Sequence, residues 1–146
     1  MGIEIFNSTK YIIDSKFVSR AIEFVLARQK IKDDVCFSVV FVNEIRMREL
    51  NRSRKGIDEA TDVLSFEFSN NFPHFEKNVR FIGEVFVCPG IVKDNALKSS
   101  VSFRKELAHT IIHGTLHLLG HHHEDSEKKR LAMHSIEEEI MEKLNV

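Results

Sequence analysis

The sequence predicts an α+β fold: a single small domain in which a mixed, four-stranded sheet packs with about five helices. Three observations predict it. Four apolar or alternating runs with strand character, Ile3–Phe6, Val35–Val42, Thr61–Phe66 and Gly83–Cys88, come early in the chain. Segments whose apolar residues recur at helical spacing lie between these runs and then dominate the C-terminal part. No repeat, linker or low-complexity tract divides the chain, and 146 residues at 42% hydrophobic supply one core.

The elements follow in order. Ile3-Glu4-Ile5-Phe6 alternates as a short strand, and Asn7 and Ser8 end it. Ser15 is the expected N-cap of a helix to about Arg28, with Val18, Ala21, Ile22 and Val25 turned inward. Lys30 to Asp34 is a polar connector. The nearly continuous β-branched run Val35–Val42 suits a strand covered on both faces. A second helix is expected from about Glu44 to Asn51, with Ile45 and Leu50 inward, and Asn51 to Ala60 is polar and irregular. After the Thr61–Phe66 strand, residues 69–78, interrupted by Pro73, form a loop expected over the site. Pro89 suits the first turn of a helix through about Lys98, since its missing N–H costs nothing there. Ser102 caps the next helix. Asp125 or Ser126 caps the last, where Met133, Ile136, Ile140 and Leu144 form an apolar stripe.

The formal charge of −1 carries no overall basic signal, so any nucleic-acid contact must come from a local patch. One such patch is Arg46, Arg48, Arg52, Arg54 and Lys55; charge patterning leaves it as either a solvated face or a phosphate site. No signal peptide is visible and no apolar run reaches the ~18 residues of a membrane span, so a cytoplasmic protein with no membrane association is expected. Cys36 and Cys88 each sit in an apolar strand-like run and are expected as buried, reduced thiols rather than a disulfide.

The chemistry concentrates in His113-Gly114-Thr115-Leu116-His117-Leu118-Leu119-Gly120-His121-His122-His123. His113 and His117 stand four apart in an apolar helical stretch, roughly 6 Å apart along the axis, a span over which two imidazoles converge on one cation. Gly120 ends the helix and turns the chain back, which makes His123 the preferred third ligand; His109, one turn earlier, and His121 are its rivals. A row of His109, His113 and His117 spans about 12 Å of helix, too long for one ion to collect comfortably. The spacing H-x-x-x-H-x-x-G-x-x-H is that of a zincin-like metal helix of the metzincin type, with Gly114 where those proteases carry a general-base glutamate. Three histidines leave a tetrahedral zinc one open position, as in catalytic sites. The missing carboxylate disfavours a peptidase.

Four acidic positions have open roles. Asp62, at a loop exit, is a turn acceptor, a partner for a zinc histidine or a proton acceptor. Glu84 either faces solvent or sits in a site. Glu124 and Asp125 cap or orient.

Two motifs bring the chain close to a known family. His113 to Gly120 with His123, and Leu50-Asn51 followed by a basic pair, Gly56 and Thr61-Asp62-Val63-Leu64-Ser65-Phe66, resemble the YbeY family of bacterial endoribonucleases; Ile82-Gly83-Glu84-Val85 is a weaker match. The order and spacing agree from about Val35 to the C-terminus. The resemblance implies a small α+β domain with a metal cleft, zinc ligands His113, His117 and His123, and a functional basic residue just before Gly56. That spacing lands on Lys55, with Arg54 beside it; the planar guanidinium suits a phosphate better, which favours Arg54. It further implies cleavage of single-stranded RNA in ribosomal RNA processing, notably at the 3′ end of the small-subunit RNA, and a part in ribosome quality control, with the small ribosomal subunit as partner. The chain departs from the family pattern at Gly120-His121-His122-His123, where Gly-Tyr-Asp-His is usual, at Glu84 in place of Asp, and at Glu67 in place of Pro.

The expectation is thus one metal-dependent hydrolase domain over residues 1–146, with one zinc per chain. A non-catalytic ribosome-assembly factor with a structural metal and a metallopeptidase are the alternatives.

Overall fold

Along the described residues, 2–68, 79–121 and 126–146, a computed structural model places β1 (Gly2–Asn7), α1 (Ser15–Arg28), β2 (Asp34–Phe41), α2 (Glu44–Lys55), β3 (Val63–Glu67), β4 (Val79–Val87), α3 (Pro89–Ser99), α4 (Phe103–Leu118) and α5 (Glu127–Leu144) in that order. The sheet runs β1-β2-β4-β3: β1 and β4 pair parallel to β2, and β3 pairs antiparallel to β4 as an edge strand. The fold is the small α+β domain with a mixed sheet that the sequence predicts.

Strand alternation assigns the faces. Val35, Phe37, Val39 and Phe41 of β2 and Val85 and Val87 of β4 are buried in the main core with α1, α4 and α5. The opposite face meets a smaller cluster in which Met47 and Leu50 of α2 pack with Leu64, Val40, Phe66 and Phe86. Both faces of β2 are therefore covered, though Cys36 and Ser38 on the α2 side are only half-buried. Cys36 and Cys88 are free thiols, as expected, but only Cys88 is buried, because Cys36 lies on the less covered face of β2.

Four local expectations shift. The N-cap of α1 is Asp14, not Ser15: its Oδ1 accepts from the Phe17 N–H at 3.1 Å, and its carboxylate pairs with Arg104. An aspartate there also favours the positive helix start. Helix α2 runs on to Lys55, because Asn51 to Lys55 hold good helix formers and the chain first turns left-handed at Gly56. Ile45 points to solvent at 74% exposure while Met47, Leu50 and Asn51 are buried. Those three form the i, i+3, i+4 stripe, and Ile45, two residues before Met47, lies about 200° away around the helix. Strand β4 begins at Val79 rather than Gly83, and β3 spans Val63–Glu67 rather than Thr61–Phe66. The residue range 69–78, expected as a loop over the site, lies outside the described residues. Pro89 in the first turn of α3, and the Ser102 and Ser126 caps, stand as predicted.

Two glycines are fixed by contact. In β4 the pairing to β2 slips between Cys36 and Phe37, opposite Phe81 and Gly83, leaving Ile82 as an extra residue. Gly83 takes φ +144°, and a Cβ there would lie 2.0 Å from the Phe66 carbonyl oxygen and 2.7 Å from Leu118 Cδ1. In α4, a Cβ on Gly114 would meet Val63 Cγ2 at 2.8 Å and Val85 Cγ1 at 2.9 Å. The helix thus lies directly on the sheet at Gly114.

Chemical unfolding of Gly83→Ala should show a loss of about 2–5 kcal/mol, combining backbone strain with a clash against a carbonyl that the β3–β4 ladder holds in place. Gly114→Ala should cost less, about 1–2 kcal/mol, because better helix propensity offsets part of the overpacking. Wild-type stability in Gly83→Ala would contradict this account of the bulge.

Candidate metal centre

Helix α4 brings its histidines to a cleft of about 580 Å³ between itself and β3, lined by Lys55, Thr61 to Ser65, Glu67, Glu106, His109, Thr110, His113, Gly114 and His117. The helix tolerates its polar residues because their groups are satisfied. Thr110 and Thr115 hydroxyls donate to the carbonyls of Glu106 and Ile111 at 2.9 and 2.7 Å. Ser65 Oγ on β3 donates to the Gly114 carbonyl at 2.8 Å, tying strand to helix across the cleft floor.

His113 and His117 are neighbours on the helix face, with ring centroids 4.5 Å apart, and His117 Nε2 is buried. The ring of His109 is farther from that of His113, at 6.2 Å. At the end of α4, Gly120 takes φ +97° and the His121 N–H donates back to Leu116 C=O at 3.0 Å, so the chain reverses as expected. The His121 ring then engages the Gln29 side chain through Nε2 at 2.5 Å, which directs it toward α1. His123, the preferred third ligand, lies outside the described residues with His122, Glu124 and Asp125. Among the described residues, no group of three His, Cys, Asp or Glu side chains is arranged to hold a metal ion.

The residue sequence reasoning missed is Glu137. It reaches from α5 into the wall of the site with a side chain only 6% exposed, and its Oε2 lies 2.9 Å from His113 Nδ1 and 3.3 Å from His109 Nε2. Burial alone would push this carboxyl up, but its bonds with His109 and His113 outweigh that and hold it at about 2. The bond to Glu137 also raises His109, against the opposing effect of burial. A signal existed in the sequence: the inward stripe of α5 runs Met133, Glu137, Ile140, Leu144, so a carboxylate occupies a core position that the Ile136 assignment concealed.

With Nδ1 bonded to Glu137, Nε2 is the nitrogen of His113 through which it would hold a metal, the usual carboxylate–histidine arrangement of metal sites. Among the described residues the cleft also carries Asp62, Glu67 and Glu106 against a single ammonium, Lys55, a balance that favours a cation. The donor set therefore fits a metal held by His113 and His117.

The other candidates separate clearly. Lys55 lines the cleft, while the Arg54 guanidinium stacks over the Phe66 ring at 5.0 Å rather than on the cleft wall. Arg48 makes a two-pronged ion pair with Asp58 at 2.8 and 3.1 Å, and Arg46 pairs with Glu49 at 3.3 Å. The bond from Arg48 holds the Asp58 carboxyl below its usual range. Arg52 lies exposed on the same helix. Asp62 lines the cleft and accepts from the Thr61 hydroxyl at 3.2 Å. Glu84 alternates with buried Val85 and faces away from α4, outside the cleft. The buried Asn51 amide donates to Glu59 C=O at 2.9 Å, closing the loop between the basic turn of α2 and Asp62.

Fold and cleft together define a class: a small α+β protein carrying a histidine pair on a helix over an acidic cleft. The sequence matches the family described as Endoribonuclease YbeY over residues 4–145. An Endoribonuclease YbeY of Persephonella marina is 36% identical over 132 residues, covering 90% of this chain and 84% of that protein. One of Thermotoga maritima is 39% identical over 111 residues, covering 76% and 69%. A solution structure of a Thermotoga maritima protein superposes with a TM-score of 0.64 at 35% identity, covering 97% of this chain and 88% of that one. The chain belongs to the YbeY family of endoribonucleases, hydrolases that act on RNA. Among the described residues, no helix is long and apolar enough to cross a membrane.

Asn51→Leu should destabilise the protein by about 1–3 kcal/mol in a denaturant titration, since it leaves the Glu59 carbonyl without its buried donor. A change below about 0.5 kcal/mol would mean that the loop does not depend on this bond.

Proposed function

We propose that this chain is a zinc-dependent endoribonuclease that cuts single-stranded RNA, with one zinc per chain held by His113, His117 and His123. The observation that carries the metal reading is the histidine pair, with ring centroids 4.5 Å apart and one member bonded through Nδ1 to a buried carboxylate. Family membership carries the RNA. When bound, zinc supplies Lewis acidity toward a phosphoryl oxygen and water acidified to near neutrality.

The chain's own residues do the rest. His113 and His117 present their ring nitrogens from a helix that packs closely on the sheet, with Gly114 against Val63 and Val85. The Lys55 ammonium lines the cleft and neutralises the phosphate being cleaved; Arg54, stacked over Phe66 one residue earlier, steadies charge at the rim. Arg52 continues the basic path for a flanking phosphate, whereas Arg46 and Arg48 are already paired with carboxylates. Gly114 leaves no room for the general-base glutamate of a metzincin, which weighs against a peptidase. The biological setting we propose, by resemblance to the family, is ribosomal RNA processing at the 3′ end of the small-subunit RNA and ribosome quality control. It would act in the cytoplasm, with residues 1–146 as one metal-dependent hydrolase domain.

Metal analysis and cleavage of a single-stranded RNA test this together. Wild type should carry about one zinc, and a chelator should empty the site and abolish cleavage while far-UV dichroism persists. A protein that unfolds on chelation is instead an assembly factor with a structural metal. The double variant Arg54→Ala with Lys55→Ala should keep its zinc and lose at least about 100-fold in cleavage, the scale of removing a charge-stabilising group. Its RNA affinity should also fall less steeply with salt, by a slope of about 0.7 per lost phosphate contact. Unchanged cleavage by the zinc-loaded double variant would exclude both residues from the reaction.

A further inference from the structure

We propose that Glu137 is a positioning residue of the metal site: its buried carboxylate fixes the His113 ring through Nδ1 and strengthens Nε2 as a ligand. The proposal rests on the reading that His113 and His117 hold a metal. Glu137 comes from α5, 24 residues beyond His113, so the bond is made by tertiary packing and not by helix periodicity. One oxygen serves both His113 and His109, at 2.9 and 3.3 Å. The other, Oε1, faces His134 Nδ1 at 4.0 Å, with Glu138 and Glu106 in turn beside His134 and His109. A carboxylate is not required merely to join two helices. Removing it from water carries a desolvation cost that an apolar side chain of similar volume avoids. Met133, Ile140 and Leu144 already bury α5 in the main core. What an apolar residue cannot do is accept from an imidazole N–H, which selects the tautomer and ring angle for coordination at the opposite nitrogen and raises its basicity.

Glu137→Gln and Glu137→Leu in the full chain separate positioning from packing. Zinc affinity by chelator competition should weaken about 10-fold in Glu137→Gln, which keeps an acceptor without its charge, and toward 100-fold in Glu137→Leu. The visible absorption of the cobalt(II)-substituted protein should change in both. Metal-free Glu137→Gln, which keeps an acceptor for the His113 N–H, should unfold near the wild-type denaturant concentration, whereas Glu137→Leu leaves that N–H unpaired and should lose stability as well. Wild-type zinc affinity and cobalt spectrum in both variants would overturn the proposal. So would a loss of affinity in Glu137→Gln accompanied by an equal loss of metal-free stability, which marks a packing role. His117→Ala is the control. If it binds zinc as tightly as wild type, the histidine-pair reading fails and this proposal with it. If it loses zinc while Glu137→Leu does not, this proposal alone fails.

Discussion

The rest of the structure depends on how closely α4 lies on the edge of the sheet. Gly114 brings the helix backbone against the methyls of Val63 and Val85, and the Ser65 hydroxyl fastens the Gly114 carbonyl from below. β-branched valines in a sheet have little rotamer freedom with which to yield, so the separation of helix and strand is set there. His113 immediately precedes that contact and His117 follows it by less than a turn, which makes the depth of the cleft a consequence of the seat. The seat depends in turn on the β3–β4 ladder and on the bulge at Gly83, where Leu118 and the Phe66 carbonyl crowd the backbone.

Charge is distributed with a similar division. Asp62, Glu67 and Glu106 line the cleft and Glu137 stands behind its histidines, an arrangement that draws a cation inward and would repel a bare phosphodiester. The positive groups lie at the exit of α2, outside the floor. Of the five basic residues in that helix, Arg46 and Arg48 pair with Glu49 and Asp58, so the proposed contacts with RNA fall to Arg52, Arg54 and Lys55. A formal charge of −1 for the whole chain is therefore no obstacle to binding RNA, because the sign that matters is local.

Much of this was legible from periodicity. The strand runs, the amphipathic stripe of α1, the caps at Ser102 and Ser126 and the turn at Gly120 all follow from local chemistry, which the sequence carries in place. The helical pairing of His113 with His117 was equally local. What stayed hidden was decided by packing between distant elements. Asn51 reads as the polar end of a helix, yet it is buried because α2 continues past it to Gly56 and the loop folds back over it. Ile45 reads as core and is exposed, because it lies about 200° around the helix from Met47, which faces the sheet. Glu137 reads as one more charge on a charged helix until its register with Met133 and Ile140 is counted, and its partners on α4 are not predictable from that register alone.

Rigidity is thus unevenly assigned, and that bears on chemistry. The histidine pair stands on a buried helix clamped by a sheet on one side and by a carboxylate from α5 on the other, so its geometry follows from packed elements rather than from a loop. Cation binding rewards such precision, since ligand distances tolerate only a few tenths of an ångström. The basic rim is held more loosely: Arg54 by an aromatic face, Lys55 by the last turn of an exposed helix. A single strand of RNA presents its phosphates in many conformations, and flexible cationic side chains can follow them at little cost in fit. A fixed floor with an adaptable rim is what a site needs when one partner must be held in a single geometry and the other arrives in several.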